Sequence, residues 1–433
     1  MPYKPEMAAS FLQVQPAQPP MPKFDGAQRH APLTLAAFVV LLAALMALNA
    51  LATDVMLPAF PQMAAGLGPV GVTDVQAVIT AYLMGFALSQ VFMGFLSDRY
   101  GRRPVLLAGL GLYVVASLLT AFAGNLSFLL IARFVQGFGS GAPRVIATAS
   151  IRDCYQGRQM ARVMSLTLTV FMAAPILAPS IGQAILFVAS WRWIMGAIGI
   201  YGFVTLLACW LAFPETLPVE QRRKISVFAI NQALKSVLGS RQTLGYTLAA
   251  GTFYGALFGF IGQAQQVMVG VYGLGPLFPI AFAAMALALS ASSFVNSALV
   301  ERFGMRMLSH IAVVIYCMTT LLMFVIALNG LLGFWLFTAI HSVNMLLVGL
   351  VFSNFNALAM EPQGRLAGVA SSFVGAVTVA LGAGMGYVIG LQFDGTVVPL
   401  AAGFLVSGVA TLLIILVTEN GRLFRAGGQP QRP

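Results

Sequence analysis

Asp54 and Arg133 are charged side chains inside otherwise apolar sequence, one able to take up or release a proton and the other fixed in charge. Asp54 lies near the end of an apolar run over 33–57 and is the only carboxylate well inside the apolar length of the first half of the chain. An ionised Asp at the centre of a bilayer costs roughly 2.5–3.5 kcal/mol on insertion scales, so it either holds a proton or meets water or a cation. Its charge is therefore conditional, which is the property a proton carrier needs. Ala50, Ala47 and Ala43 precede it on the same helical face, so the side chain is expected to point into a bundle of helices. A plain helix-end hydrogen bond beside Pro58 is the other reading. Arg133 sits about eight residues into an apolar run over 126–149, on one face with Gln136, Gly137, Ser140, Gly141 and Arg144. A guanidinium cannot shed its charge. This face must look onto water, onto a partner, or onto backbone carbonyls.

The elements that position these residues are membrane spans. Over 433 residues the chain is 59% hydrophobic and 8% charged, against about 25% charged in soluble domains, so it cannot present a water-soluble surface. Apolar runs near 33–57, 73–97, 104–122, 126–149, 162–189, 191–213, 242–272, 276–300, 306–328, 330–359, 365–393 and 395–417 are each long enough to cross a bilayer core. The expected fold is all-α: twelve transmembrane helices in two six-helix bundles, 33–213 and 242–417. The charged connection 214–241, with Arg222, Arg223, Lys224, Lys235 and Arg241, links them. Residues 1–32 are Pro- and Gln-rich and are expected to be a disordered tail, with a short second tail over 418–433. Apart from Arg133 and Arg144 inside a span and Arg192 at the fifth-to-sixth turn, all the Lys and Arg fall on the side of the N-terminus, so both termini are expected to be cytoplasmic.

The net charge of +11 is scattered over short turns, which argues against nucleic acid as a partner. Cys154, Cys209 and Cys317 are far apart, and no disulfide framework or metal knuckle is expected. A Walker loop, a His/Asp metal cluster and a nucleophile with a base at helical spacing are all missing, so neither an enzyme nor ATP-driven transport is indicated.

The sharpest break in the chain is Gly94 to Pro104, which sets Asp98, Arg99, Arg102 and Arg103 between two spans. Asp98 falls at a helix C-terminus, where a carboxylate needs a cation or another helix's N-terminus opposite it. Gly94 and Gly101 allow a tight turn or close approach, and Pro104 suits a first helical turn. The run from Asp98 to Arg103 is echoed by Glu301-Arg302-Phe303-Gly304-Met305-Arg306, again after the second span of a half. Two halves in parallel orientation follow.

The Gly94–Arg103 turn resembles the signature loop of the major facilitator superfamily. Thr53 to Pro61, with Asp54, resembles the first-span motif of the bicyclomycin-resistance and chloramphenicol-exporter branch of drug:proton antiporters. Arg133 to Gly137 resembles its fourth-span motif, and Pro175 to Gly182 the fifth-span motif associated with antiport. The resemblance covers nearly the whole chain after residue 32. It implies proton-driven export of small, largely apolar, neutral or weakly charged compounds by alternating access, in the inner (plasma) membrane, by a functional monomer with no cofactor beyond the proton as coupling ion. It implies proton coupling through Asp54, Arg133 and Gln136, and a conformational latch formed by Gly94, Asp98, Arg99, Gly101, Arg102 and Arg103, with Arg152, Asp153 and Arg158 as candidate partners.

Pro175, Pro179 and Gly182 fall on one face and bend the fifth span; the resemblance makes that bend a seal between the halves. Ala178 and Gln183 stand where the family often has glycine. A cavity between halves is expected to be apolar with a few polar groups, and its candidates are Tyr82, Phe86, Phe171, Phe253, Tyr254, Phe258, Gln263 and Gln265. His310 and His341 are the other titratable side chains, His341 at a place roughly equivalent to Arg133. Export of a metabolite or siderophore, and a non-transporting membrane receptor or scaffold, are the alternatives. The second would need a soluble domain or an extended loop, and none exceeds about thirty residues.

Overall fold

An apolar segment in lipid has to pair every backbone N–H and C=O within itself, and a helix does so. The computed structural model describes residues 33–222 and 227–424, and no strand occurs among them. The first half holds Leu35–Asp54, Ala77–Tyr100, Arg102–Ala121, Leu126–Cys154, a fifth span in two helices, Gly157–Phe171 and Ala173–Val188, and Trp191–Ala212. The second half holds Arg241–Gln265, Phe278–Phe303, Met305–Leu328, Phe334–Met360, Ala367–Leu391 and Val398–Thr418. They are the first to twelfth spans below.

Among the described residues eleven helices are long and apolar enough to cross a membrane. The fourth span, Leu126–Cys154, is long enough but carries Arg133, Arg144, Arg152 and Asp153. Its Arg133, Gln136 and Ser140 are buried, so its polarity is turned into the protein instead of towards lipid. It also runs on to Cys154, past the expected end at 149, and so takes Arg152 and Asp153 into the helix. The connection 214–241 is more ordered than a charged loop, because it contains the helix Val227–Gly239. Residues 1–32, Arg223, Lys224 and 425–433 lie outside the described residues.

Within the first half the second span packs on the fourth and the third packs on the fourth and sixth; within the second half the eighth packs on the tenth and the seventh on the tenth and twelfth. The halves meet along the second and eleventh spans and along the fifth and eighth. Small residues permit the closest approaches. A Cβ at Gly137 would collide with the carbonyl of Tyr82, and one at Gly85 with the carbonyl of Phe134, so the second and fourth spans touch backbone to backbone.

The break in the fifth span follows from Pro175, which has no N–H to give the carbonyl of Phe171 four residues back. The helix accordingly stops at Phe171 and restarts at Ala173. Before the twelfth span, Asp394 accepts from the Thr396 hydroxyl at 2.7 Å and the Thr396 amide at 2.9 Å, bonds that hold its carboxyl below the usual carboxylate range.

Both echo turns have a glycine at positive φ between spans, Gly101 at 101° and Gly304 at 76°. With ψ 159°, Gly101 occupies a region essentially reserved for glycine, and a Cβ there would collide with the Glu215 carboxylate. Gly101→Ala is therefore expected to destabilise the protein by about 1–3 kcal/mol, read as a lower thermal midpoint in detergent. A wild-type midpoint would show that the turn tolerates a side chain.

Candidate functional site

The first span ends at Asp54 because the chain turns at once into a short 3-10 segment, Leu57–Ala59, with Pro58 inside it. Asp54 is 5% exposed. Its Oδ1 accepts from the Thr53 hydroxyl at 2.8 Å, and among the described residues no cation pairs with it. Gly182 of the fifth span lies against this break. A Cβ at Gly182 would collide with the Val55 carbonyl oxygen and come within 3.3 Å of the Pro58 ring. The bend residues Pro179 and Gly182 are buried and Pro175 is half-buried, so the fifth-span motif and Asp54 are brought to one place, in contact through Val55.

The last carbonyls of a helix have no partner in their own ladder. One of them, on Ala52, accepts from Arg133 Nη2 at 2.7 Å. Arg133 Nη1 donates to Gln136 Oε1 at 2.6 Å, Nε reaches the Val78 carbonyl at 3.5 Å, and the guanidinium lies 4.6 Å from the centroid of the Tyr82 ring. Gln136 Nε2 donates to the Ser117 hydroxyl at 2.7 Å. The network ties the first four spans together, fully enclosed, and it places a cation at a helix C-terminus, where the dipole favours one. Of the three openings left by the sequence, backbone carbonyls, with the Gln136 amide beside them, are what the structure gives Arg133.

On the face that carries the linker and the chain ends, Asp98 finds its cation one turn away. Arg102 Nη1 bonds Asp98 Oδ1 at 2.6 Å while its Nε bonds Asp153 Oδ2 at 2.9 Å. Glu215, just past the sixth span, accepts from the backbone N–H of Arg102 at 2.8 Å and of Arg103 at 3.3 Å, capping the third span. Arg99 lies over the Tyr100 ring, and Arg103 donates to the Trp210 carbonyl. Of the expected partners Asp153 takes part; no contact brings in Arg152 or Arg158 among the described residues. Gly94 of the turn approaches the other half, where a Cβ would lie 3.0 Å from Ser372 Oγ.

The second half repeats the cluster. Arg306 pairs with Glu361 at 2.9 Å and Glu419 at 3.2 Å, and Tyr246 donates to Glu419 at 2.7 Å while its hydroxyl also meets His310 Nε2 at 2.9 Å. His341 is fully buried among the rings of Phe260, Phe337 and Phe404, at 4.1, 5.3 and 5.1 Å between centroids.

The cavity candidates divide. Tyr82 and Phe86 are buried in the first half and Phe253 packs on Tyr316 of the ninth span at 4.6 Å, so these three serve bundle packing. Gln263 is likewise internal, donating to the Ile389 carbonyl at 2.9 Å, and Gln265 is buried beside it. Phe171, Tyr254 and Phe258 are half-buried. Tyr254 packs on Phe258 and, more closely, on Phe352 of the tenth span, at 5.4 and 4.4 Å. Phe352 was not among the candidates, because one aromatic in a long apolar run carries no signal.

The faces also differ in how the halves join. On the face opposite the linker, Gln76 donates to Gln266, and Gln266 donates to Thr73 at 3.3 Å. Gly390 leaves room for the Gln76 amide, and a π-helical turn over Gln266–Val271 sets Gln266. There the Ala173–Val188 helix packs on the eighth span, whereas Gly157–Phe171 packs on the first and fourth spans of its own half.

The model of the Major Facilitator Superfamily matches residues 42–387. The chain is 33% identical over 383 residues to the MFS-type transporter YdgK of Bacillus subtilis, covering 86% of this chain and 93% of that one. It is 30% identical to the bicyclomycin resistance protein homolog of Haemophilus influenzae, covering 84% and 91%, and 29% identical to a chloramphenicol resistance protein of Pseudomonas aeruginosa, covering 89% and 86%. Among solved structures it superposes on the xylose transporter XylE from E. coli with TM-score 0.68 at 12% identity, covering 88% of this chain and 97% of that one.

The contact between Gly182 and the first-span break yields a prediction. A methyl group at Gly182 meets a backbone carbonyl that cannot move aside, so Gly182→Ala is expected to abolish transport and lower the thermal midpoint, while Ser180→Ala, at an exposed position one face away, leaves both unchanged. Wild-type transport by Gly182→Ala would separate the bend from the function.

Proposed function

The chain belongs to the major facilitator superfamily, and from that premise we propose that it exports small, largely apolar, neutral or weakly charged compounds across the inner (plasma) membrane in exchange for protons. The observation that carries this is Asp54: a buried carboxylate with no cation paired to it among the described residues, at the broken end of the first span and in contact range of the bent fifth span. An ionised carboxylate in that enclosure is costly, and a proton removes the cost. The charged form then favours an arrangement in which water reaches Asp54, and the protonated form favours closure. A ligand or proton shifts a conformational equilibrium only by its differential affinity for the two states, and a titrating buried acid supplies that difference. The names of the relatives, bicyclomycin resistance and chloramphenicol resistance, support the compound class.

The positive-inside rule assigns the face with Arg99, Arg103, Arg222, Arg302 and Arg306 to the cytoplasm, and the face with Asp74 and Asp394 to the exterior. In that orientation the Gln76–Gln266 pair is an outer closure. The Gly94–Arg103 turn with its Asp98, Asp153 and Glu215 partners is the inner latch, free to dock on the other half when the outer face opens.

Asp54→Asn keeps size and polarity but cannot titrate. In everted vesicles this variant is expected to lose efflux driven by a pH gradient, down to the level of empty vesicles, while it still inserts and purifies as wild type. Undiminished pH-driven efflux would sink the assignment of Asp54. A second expectation concerns the outer closure: Gln76→Cys with Gln266→Cys should cross-link under oxidation, stop efflux, and recover on reduction. Efflux that persists in the cross-linked protein would exclude alternating access through this face.

A further inference from the structure

Arg144 is a charged side chain well inside the fourth span that the coupling network leaves out. It stands three turns beyond Arg133 on the fourth span, yet its surroundings are different. Arg133 is enclosed and bonded to carbonyls, whereas Arg144 is half-buried and no carboxylate pairs with it among the described residues. Its guanidinium lies 5.9 Å from the centroid of the Phe171 ring of the fifth span and within electrostatic reach of Tyr254 across the seam between halves. Tyr254 is backed by Phe352 and Phe258. All four aromatic residues are half-buried, like Arg144 itself. The arrangement is one fixed positive charge in an aromatic enclosure, with walls from both halves.

We infer that Arg144 with Phe171, Tyr254 and Phe352 forms a subsite for an aromatic cargo that bears a carboxylate or an equivalent anionic group. A guanidinium presents donors in a planar fork that matches a carboxylate in a bidentate pair, and it stays charged under all working conditions. An unpaired charge at this depth is expensive to keep, and an anionic ligand relieves that cost only while it is bound. A neutral amide of the same shape cannot, so the site discriminates by charge while the rings hold the aromatic part. The inference rests on the export reading and narrows its "weakly charged" class to weak acids. It also sets the direction of charge movement: an anion leaving and a proton entering both carry positive charge inwards, so an inside-negative potential assists each turnover.

The test is equilibrium binding of 1-naphthoate and of its uncharged isostere 1-naphthamide to the purified protein in lipid nanodiscs, with no gradient imposed. Naphthoate is expected to bind at least about tenfold more tightly than naphthamide, the worth of one charge-assisted pair. Arg144→Gln should bring the two within about twofold while naphthamide still binds, since the uncharged probe gains little from the guanidinium. Retained naphthamide binding reports that the variant is folded. If Arg144→Gln does not fold, Arg144→Lys decides, with a surviving anion preference supporting the inference and equal binding of the two probes overturning it. A wild-type protein that binds naphthoate no better than naphthamide, or that binds neither, overturns it, as does a preference that survives in Arg144→Gln. Asp54→Asn should keep the preference while losing efflux, so failure of the subsite and failure of proton coupling give different results.

Discussion

A guanidinium cannot be neutralised, and that one constraint organises the first half of this protein. Arg133 in a bundle core must find acceptors, and it finds them on the Ala52 and Val78 carbonyls and the Gln136 amide. Of these, the Val78 carbonyl lies within reach because the second and fourth spans approach backbone to backbone, which in turn requires glycine at positions 85 and 137. The Ala52 carbonyl is free because the first span stops two residues later. Sequence that looks like separate features, an Arg, a pair of glycines and a broken helix, is one mutually dependent unit. Asp54 sits at its edge, at the same break that frees a carbonyl for Arg133, and among the described residues no cation pairs with its carboxylate.

The second half shows what happens when the constraint is relaxed. His341 stands at the position roughly equivalent to Arg133, and an imidazole is able to stay uncharged. The surroundings are accordingly aromatic: three phenylalanine rings enclose it instead of a set of carbonyls. At the linker face the halves do agree. Arg102 joins a carboxylate in the last turn of the fourth span to one at its own turn and has Glu215 over its amide, and Arg306 joins a carboxylate after the tenth span to one after the twelfth. The electrostatic brace at the linker face is common to both halves, while the buried centres differ.

Much of this was legible in the amino-acid sequence because lipid removes choices. Apolar runs of bilayer length had to be helices, and the echo of the charged turn gave the two halves. The fourth span shows the limit. Its end is expected at 149, because Arg152 and Asp153 look like a loop, whereas the helix runs on to Cys154 and Asp153 becomes the partner of Arg102 in the turn. The carboxylates that complete each brace, Glu215, Glu361 and Glu419, were invisible, since they lie far along the chain and form no motif. The aromatic candidates divided for a related reason. Helical spacing says which residues share a face but not whether that face meets its own bundle or the other half, so Phe253 and Tyr254, adjacent in sequence, ended in a packed core and at the seam.

The two faces hold the halves together by different physics, and this bears on how such a molecule moves. Across the opposite face the bond is between neutral amides, Gln76 and Gln266. A neutral hydrogen bond exchanged for water changes free energy by only about 0.5–1.5 kcal/mol, so opening there is cheap and insensitive to ionic strength. At the linker face the ion pairs among the described residues of the spans lie within each half, where they stiffen the bundles as bodies. Rigid halves joined by weak, uncharged contacts form a hinge that small driving forces are able to turn. The strong electrostatic terms within the spans are then left to the groups on which the proposed exchange turns, Asp54 with its conditional charge and Arg144 with its permanent one.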